Sequence, residues 1–194
     1  NDYGQFGQNY TGQGPETIPE VSPRVVGGTT TDSRSWQRVS MDSAASTSWD
    51  ETVLGTKTDG TLWAWGYNQW GQIGDNSRTS RSSPVQIGTE TTWAWAEVGG
   101  YGEGYLSVAV KTDGTLWTWG ENEKGQLGTN GPVGNPHFYD KKSPVQVGTD
   151  TDWETAAPSS TNSAGNYAIV RKTDGSLWSW GDNDNGELGL NNKT

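Results

Sequence analysis

Hydrophobic and polar positions alternate in short runs along most of this chain, a pattern that is typical of half-buried β-strands. The run "YLSVAV" and the run "TLWTWG" flank an Asp-Gly pair at 113–114, and "NYAIVR" and "SLWSWG" flank another at 174–175. Asp-Gly between alternating runs indicates a β-hairpin, because glycine adopts the positive φ that a tight turn requires. The pattern therefore predicts an all-β protein built from hairpins.

The hairpin pattern recurs three times. "KTDGTLWAWGYNQWGQIG" begins at Lys57, "KTDGTLWTWGENEKGQLG" at Lys111 and "KTDGSLWSWGDNDNGELG" at Lys172, with spacings of 54 and 61 residues. Self-similarity at such a period is the signature of a repeat architecture. We interpret residues 1–194 as one domain of propeller-type repeats.

A second block of sequence divides the domain into copies. "SPVQIGTETTW" begins at Ser83, "SPVQVGTDTDW" at Ser143, and a looser form, "SPRVVGGTTTDSRSW", at Ser22. The domain then consists of four copies of the repeat, of which the first and last are partial. Their predicted ranges are 1–56 (partial), 57–110, 111–171 and 172–194 (partial).

The two faces of the predicted strand that carries each tryptophan pair indicate how the copies pack. Residues two apart in a strand share a face, so Trp63 and Trp65 point one way and Leu62 and Ala64 the other. A bulky face opposite a smaller one gives the complementarity that stacked sheets require. Four short antiparallel strands with such faces are typical of a β-propeller blade. We predict an all-β propeller with about three repeats present, partial or completed by shared blades.

The repeat resembles that of the regulator of chromosome condensation family. Blades of that family read roughly as an apolar strand, an Asp-Gly turn, aromatic-x-Trp-Gly and Asn-x-x-Gly-Gln-Leu-Gly, and "KTDGTLWAWGYNQWGQIG" follows this order. The resemblance implies a β-propeller, typically seven-bladed. Known members include a guanine-nucleotide exchange factor on chromatin and a secreted bacterial inhibitor of β-lactamases. The form of the repeat here is similar to bacterial and bacteriophage members, which implies an extracellular, cell-surface or virion location.

Two features depart from the family pattern. Family members often have a histidine in the strand before the turn, where this chain has Tyr105 or Leu106. Three repeats are also too few for a ring of about four to eight blades. Because the last copy lacks the "SPVQ" half and the first has the opposite deficit, two explanations stay open. Either the sequence is an excerpt of a longer propeller, or identical chains complete each other through half-blades at 1–30 and 172–194, which would protect exposed strand edges.

Composition restricts the possible functions further. Only 29% of residues are hydrophobic and the net charge is −10, but 12 tryptophans and seven tyrosines supply large buried areas. The absence of cysteine excludes disulfides, thiolate nucleophiles and cysteine zinc sites. No apolar run reaches about 18 residues, so we expect no membrane insertion. The acid excess leaves no basic face, so we also expect no nucleic-acid binding.

Candidate chemistry is sparse. His137 is the single histidine, and no Gly-x-Ser-x-Gly elbow accompanies it. "DNDNGE" at 182–187 resembles a calcium loop, but Gly186 falls at the fifth position rather than the sixth. Asp150 and Asp152 belong to a repeated turn, and the paired tryptophans fit a core better than a platform for sugars or bases. We predict a protein that is not an enzyme and has no metal or cofactor.

The loops vary in length and sequence while the frame repeats, so binding is predicted there. The candidate binding residues are aromatic side chains and neighbouring lysines: Trp70, Tyr101, Tyr105, His137, Phe138, Tyr139, Lys141 and Lys142. We predict a non-enzymatic scaffold for protein–protein interaction or structural assembly, as a bacterial surface or phage component. The alternatives are a loop-face binding module of inhibitor type, a guanine-nucleotide exchange factor-like protein and, less favoured, a carbohydrate-binding module.

Overall fold

The computed structural model describes residues 35–42, 51–99, 105–134, 138–158 and 166–193. Within these ranges eleven strands form three antiparallel sheets. The first sheet contains β1 (Trp36–Met41), β2 (Thr52–Lys57), β3 (Leu62–Gly66) and β4 (Arg81–Gln86). The second contains β5 (Trp93–Gly99), β6 (Leu106–Lys111), β7 (Leu116–Gly120) and β8 (Lys141–Gln146). The third contains β9 (Trp153–Pro158), β10 (Tyr167–Lys172) and β11 (Leu177–Gly181).

This architecture confirms the predicted fold class, since strands pair in chain order within each four-stranded antiparallel sheet. The sheets themselves span 36–86, 93–146 and 153–181. A copy counted from the lysine of "KTDG" therefore begins at the end of the second strand, and it combines two strands of one sheet with two of the next. The repeating unit in the structure is the sheet, which begins at its first tryptophan rather than at the lysine of "KTDG".

Each Asp-Gly hairpin is held by the same side-chain relay. In the second sheet, the Asp113 carboxylate accepts hydrogen bonds from the Thr115 amide (3.0 Å) and hydroxyl (2.7 Å). The Thr115 hydroxyl in turn accepts one from Trp117 Nε1 at 2.9 Å. The hydrogen bonds from Thr115 hold the pKa of Asp113 below its ordinary value. The relay fixes the first tryptophan of each pair relative to its own turn.

Neighbouring sheets pack face to face, as the alternation predicts. Leu62 and Ala64 are fully buried in a cluster with Trp93 and Trp119 of the second sheet. The second sheet buries Leu116 against the third in an equivalent cluster. The two clusters form a core that repeats from one sheet interface to the next.

The third sheet differs from the other two at its outer edge. β4 and β8 cover the outer edges of β3 and β7, but no described strand pairs with the outer edge of β11. Leu177 is 70% exposed, whereas its counterparts Leu62 and Leu116 are fully buried. The segment that would match β4 and β8 in sequence, "SPRVVG" from Ser22, lies outside the described residues. Among the described residues, the third sheet thus presents an open side.

Candidate functional site

The contact between sheets explains why paired tryptophans accompany "GQIG". The carbonyl of Gln72 accepts a hydrogen bond from Trp119 Nε1 of the next sheet at 2.8 Å. A Cβ added to Gly74 would lie 2.7 Å from that same nitrogen, so only glycine allows the indole to approach. We call this four-residue turn, 71–74, a tryptophan socket.

A second tryptophan socket lies at 125–128, where Gln126 O accepts a hydrogen bond from Trp180 Nε1 at 2.8 Å. The Cβ of an alanine at Gly128 would lie 2.6 Å from the indole nitrogen. Trp119 and Trp180, the second tryptophans of the second and third pairs, therefore dock into the preceding sheet rather than into a ligand site. This supports the interpretation of the pairs as core.

The third tryptophan socket, at 186–189, has no occupant among the described residues. A Cβ at Gly189 would meet no atom within 4 Å, although its φ of 68° matches the 65° of Gly128. Glu187 stands where the other sockets have glutamine, and its carboxylate accepts hydrogen bonds from Asn185. The side-chain hydrogen bond from Asn185 lowers the pKa of Glu187. The open socket lies on the same uncovered side as exposed Leu177.

Each sheet also holds a lysine between two tryptophan rings, an arrangement that we call a lysine clamp. The three clamps are Lys57 with Trp36 and Trp63, Lys111 with Trp93 and Trp117, and Lys172 with Trp153 and Trp178. The ammonium nitrogen lies between 3.8 and 5.0 Å from each ring centroid. Since the ammonium occupies the space between the rings, the clamp is a structural element and leaves no room there for a ligand.

Carboxylates complete two of the clamps. Glu90 lies 2.8 Å from Lys111 Nζ, and Asp150 and Asp152 lie 2.6 and 3.0 Å from Lys172 Nζ. The hydrogen bonds that Lys172 donates to Asp150 and then Asp152 raise the pKa of its ammonium. The repeated turn predicted only turn chemistry for these two aspartates and did not reveal their pairing with Lys172. The available signal was the repetition of lysine before each Asp-Gly turn and of an acidic residue before two of the clamp tryptophans.

Replacing Lys111 by methionine should lower the free energy of unfolding by about 1–2 kcal/mol. Methionine keeps an apolar stem between Trp93 and Trp117 but loses both cation–π contacts. Urea denaturation at pH 7 measures the change. Lys142→Met, at an exposed position of β8, serves as the control and should leave the unfolding midpoint nearly unchanged. Equal midpoints for the two variants would show that the clamp contributes nothing to stability.

The predicted binding residues of the loops lie in different surroundings in the structure. Tyr105 is 2% exposed, and the half-buried Trp70 stacks on it with ring centroids 6.4 Å apart. This placement favours packing for both residues. Tyr101 and His137 lie outside the described residues. The binding role of these four residues stays a prediction.

The remaining candidates cluster near β8. Phe138 is 82% exposed and Tyr139 is 36% exposed, while Lys141 and Lys142 lie within the strand itself. The adjacent Asp140 carboxylate accepts hydrogen bonds from the Asn122 amide and from Arg78 of the first sheet's loop, each at 3.0 Å. The base of the loop is therefore anchored while its aromatic side chains face solvent.

Equivalent clefts lie beside two of the lysine clamps. The cleft at Trp93 and Trp117 has a volume of about 440 Å³ and is lined on one side by Ser143 and Pro144 of β8. The cleft at Trp153 and Trp178 has about 690 Å³ and lacks a corresponding strand. The larger volume agrees with the open edge of the third sheet.

Two kinds of feature are absent from the described part of the chain. No group of three or more His, Cys, Asp or Glu residues there is arranged to hold a metal ion. None of its segments forms a helix that is long and apolar enough to cross a membrane.

Sequence comparisons match the chain to known proteins. A family model for the regulator of chromosome condensation (RCC1) repeat matches residues 59–102 and 113–166, about half of the chain. The ultraviolet-B receptor UVR8 of Arabidopsis thaliana is 24% identical, with 72% of this chain and 41% of that protein covered. The human E3 ubiquitin-protein ligase HERC2 is 27% identical, with 72% of this chain and 3% of that protein covered. The chain thus spans less than half of either relative.

Solved structures show the same fold. The crystal structure of human WBSCR16 superposes with a TM-score of 0.68 at 22% identity, covering 94% of this chain and 41% of that one. Prp20p from Saccharomyces cerevisiae, described together with its binding to Gsp1p and histones, gives 0.57 at 19% identity. That match covers 73% of this chain and 33% of Prp20p. Identities this low establish the likeness of fold alone.

Proposed function

The chain belongs to the regulator of chromosome condensation (RCC1) repeat family, and from this premise we propose that it is a non-enzymatic protein-interaction module whose partner completes the third sheet at β11. Members of this family share a propeller fold that serves as a protein-interaction module. The feature that would distinguish this chain is the open edge, where a partner strand can pair with β11.

The exposure of Leu177 is the observation that supports this proposal. In the complete sheets, the carbonyls of Leu62 and Leu116 accept hydrogen bonds from Ile87 and Val147, just beyond the fourth strand, at 2.8 Å each. The equivalent carbonyl of Leu177 has no such strand beside it among the described residues. An edge of this kind can accept an extended peptide by main-chain hydrogen bonding, with side-chain pockets providing specificity.

The sequence indicates what kind of strand would fit. β4 and β8 both contain Ser-Pro-Val-Gln, and both place valine opposite the central residue of the tryptophan strand: Val85 pairs with Ala64 and Val145 with Thr118. A partner strand would place its valine opposite Ser179. Residues 22–27, "SPRVVG", share the Ser-Pro start and the final glycine but have Arg24 where β4 and β8 have that valine; identical chains joined through half-blades at 1–30 and 172–194 remain one candidate source. A different protein is the other.

A synthetic peptide with the sequence of residues 141–148, "KKSPVQVG", tests the proposal. It should bind the 194-residue chain and shift the amide NMR signals of Leu177 and Ser179, because β8 makes the equivalent pairing with β7. Leu177→Asp should abolish binding, whereas Val39→Asp, at an exposed position of β1 in the first sheet, should leave it unchanged. An absence of shifts at millimolar peptide, or shifts located elsewhere, would contradict a strand-accepting edge.

The source of the strand can be decided by the mass in solution. Pairing between identical chains predicts light-scattering masses above the monomer value of 20.9 kDa that fall on dilution. A monomer at every concentration would exclude half-blade pairing between identical chains.

A second candidate function is favoured by the anchored β7–β8 loop. Phe138 is almost fully exposed beside a base that Asp140 fixes, which suits an interface anchor of the inhibitor type. Partner binding that survives Leu177→Asp but is lost in Phe138→Ala would assign the function to this loop.

Guanine-nucleotide exchange and carbohydrate binding remain lesser alternatives, which can be tested by nucleotide-release assays and by glycan arrays. The surface or virion location stays a proposal based on repeat style, as does the absence of nucleic-acid binding.

A further inference from the structure

We infer that Asn130, in the loop between β7 and β8, is a site of spontaneous deamidation, in which the main-chain amide of Gly131 displaces ammonia from the asparagine side chain. Glycine follows asparagine at two places in the chain, 130–131 and 185–186, and the surroundings of these two pairs differ. The inference is independent of the proposed function, because it requires no partner and no binding at β11.

The reaction closes a ring between two neighbouring residues. The Gly131 main-chain nitrogen attacks Asn130 Cγ, the bond from Cγ to Nδ2 breaks, and ammonia leaves with the proton that the glycine nitrogen carried. Water then opens the succinimide ring. Attack of water at Cγ gives aspartate, and attack at the main-chain carbonyl carbon gives isoaspartate. A following glycine favours ring closure, because it has no side chain and the greatest freedom of rotation.

Both reacting groups at 130–131 are exposed to solvent. Within the described part of the chain, no hydrogen bond involves the Asn130 side chain or the Gly131 main-chain amide. A Cβ added at Gly131 would have only the Thr129 hydroxyl near it, at 3.5 Å, so the space beside the glycine is open. The main chain can therefore rotate toward ring closure without breaking a hydrogen bond of either group.

The second Asn-Gly pair is held in place by three hydrogen bonds. Asn185 N and Nδ2 donate to the Glu187 carboxylate at 3.0 and 2.8 Å, which fixes the side-chain amide. Gly186 N donates to Asn183 O at 3.1 Å, so the attacking nitrogen is also engaged. Ring closure at Asn185 therefore requires a local opening of this turn, and the free energy of that opening slows the reaction.

The three Asp-Gly turns are held in a similar way, although aspartate can also cyclise onto a following glycine, with loss of water. The glycine amide of each turn donates to the carbonyl of the lysine three residues earlier, at 2.9–3.0 Å. Each aspartate accepts hydrogen bonds from the threonine or serine two residues later, as Asp113 does from Thr115. Gly131 differs from the glycines of these turns and from Gly186, because its amide donates no hydrogen bond to the described residues.

The fold accounts for asparagine at 130 but not for the glycine that follows it. Asn76, Asn130 and Asn191 lie two residues after the last glycine of their tryptophan sockets, with φ of 62°, 51° and 59°. Asparagine adopts this left-handed conformation more readily than most residues do. Serine and asparagine follow in the other two copies, and the Ser77 amide donates to the Asp75 carboxylate at 3.0 Å. The middle copy alone combines the left-handed asparagine with glycine.

Deamidation would alter the loop that carries Phe138. Asn122 Nδ2 donates to Pro132 O at 3.2 Å, and this hydrogen bond anchors the loop two residues after Asn130. Isoaspartate adds a methylene group to the main chain just before this anchor, and either product adds a negative charge to an exposed position. We expect the hydrogen bond between Asn122 and Pro132 to be lost in the isoaspartate form. The Asn130→Asp variant, which has the charge but an ordinary main chain, should retain it.

Peptide mapping by mass spectrometry tests the inference on the 194-residue chain, incubated in mildly alkaline buffer. In the folded chain, Asn130 should deamidate at least tenfold faster than Asn185. In urea the two rates should become nearly equal, because the hydrogen bonds that hold Asn185 are then lost. Equal rates in the folded chain, a faster rate at Asn185, or no product at Asn130 while the unfolded chain is converted would each overturn the inference.

Two variants separate the hydrogen bonds from the dipeptide sequence. Glu187→Ala removes the acceptor of the Asn185 amides and should accelerate deamidation at Asn185 severalfold, with the rate at Asn130 unchanged. Gly131→Ser should slow the reaction at Asn130 at least tenfold, because a side chain now hinders ring closure. A rate at Asn130 that Gly131→Ser does not change would contradict attack by the main-chain amide. An unchanged rate at Asn185 in Glu187→Ala would contradict its protection by Glu187.

NMR of the aged chain measures the consequence for the loop. The side-chain amide signals of Asn122 should shift in the isoaspartate form and stay in place in Asn130→Asp. Identical Asn122 signals in the isoaspartate form and in the unmodified chain would contradict the expected loss of the hydrogen bond to Pro132.

Discussion

Trp119→Ala should lower the free energy of unfolding by about 3–5 kcal/mol, the range for removing a buried aromatic side chain. Trp119 is fully buried, packs its ring 6.4 Å from that of Trp93 and donates a hydrogen bond to Gln72 O across the sheet interface. Its loss leaves a cavity between two sheets rather than within one. Urea denaturation followed by circular dichroism measures the change.

Two further variants separate the ring from its hydrogen bond. Trp119→Phe keeps an aromatic ring and should cost about 1 kcal/mol for the hydrogen bond, since the Ser107 hydroxyl still donates to Gln72 O at 2.7 Å. Trp178→Ala, at a half-exposed position in the third sheet, should cost less than half as much as Trp119→Ala. Equal costs for Trp119→Ala and Trp178→Ala would contradict a stabilising role for the buried inter-sheet position of Trp119.

Gly114→Ala should destabilise the protein by about 2 kcal/mol or more beyond the same change at Gly175. Both glycines occupy the same turn position, with φ of 79° and 86°, so the strain of an L-residue at positive φ is similar in both variants. A Cβ on Gly114 would lie 2.0 Å from the carbonyl oxygen of Thr151, whereas a Cβ on Gly175 meets no atom within 4 Å. Only the first variant must move main-chain atoms.

The turn at Gly114 also supports the next sheet. Gly114 O accepts a hydrogen bond from Trp153 N at 3.1 Å, so movement of this turn disturbs the start of β9. Thermal unfolding of the two glycine variants should show a clearly lower midpoint for Gly114→Ala. Coincident midpoints would mean that the contact between the Asp-Gly turn and the connector leading into β9 is not required for stability.

The sequence alone was sufficient to predict the fold because each repeat contains the residues that its own turn and packing contacts require. The Asp-Gly turn, the alternation of Leu62 and Ala64 with the tryptophans, and the glycine of "GQIG" each satisfy a requirement that recurs at every interface. Trp65 and Trp119 are buried as the assignment of the pairs to the core predicts, whereas the first tryptophans of the pairs are partly buried or, at Trp178, exposed. The family and the sheet architecture were both confirmed.

The site was harder to predict because it lies where no described strand covers the third sheet. Leu177 has the same sequence environment as Leu116, and only the structure shows that one is exposed and the other buried. The lysine clamp joins Lys172 to Asp150, 22 residues away in the chain, and a pattern read within one strand does not reveal such a pair. Tyr105 was predicted as an aromatic loop candidate, and its stacking on Trp70 is likewise a contact that a pattern within one strand does not reveal.

An open outer edge of β11, completed by a partner strand, is the basis of the proposed function. Amide hydrogen exchange of the chain at high dilution probes this edge residue by residue. We expect the amides of Leu177 and Ser179 to exchange at least a hundredfold faster than those of Leu116 and Thr118 in β7, and added peptide 141–148 to slow them. Equal protection of both pairs in the dilute chain would show that the third sheet is already complete and that no partner strand is needed.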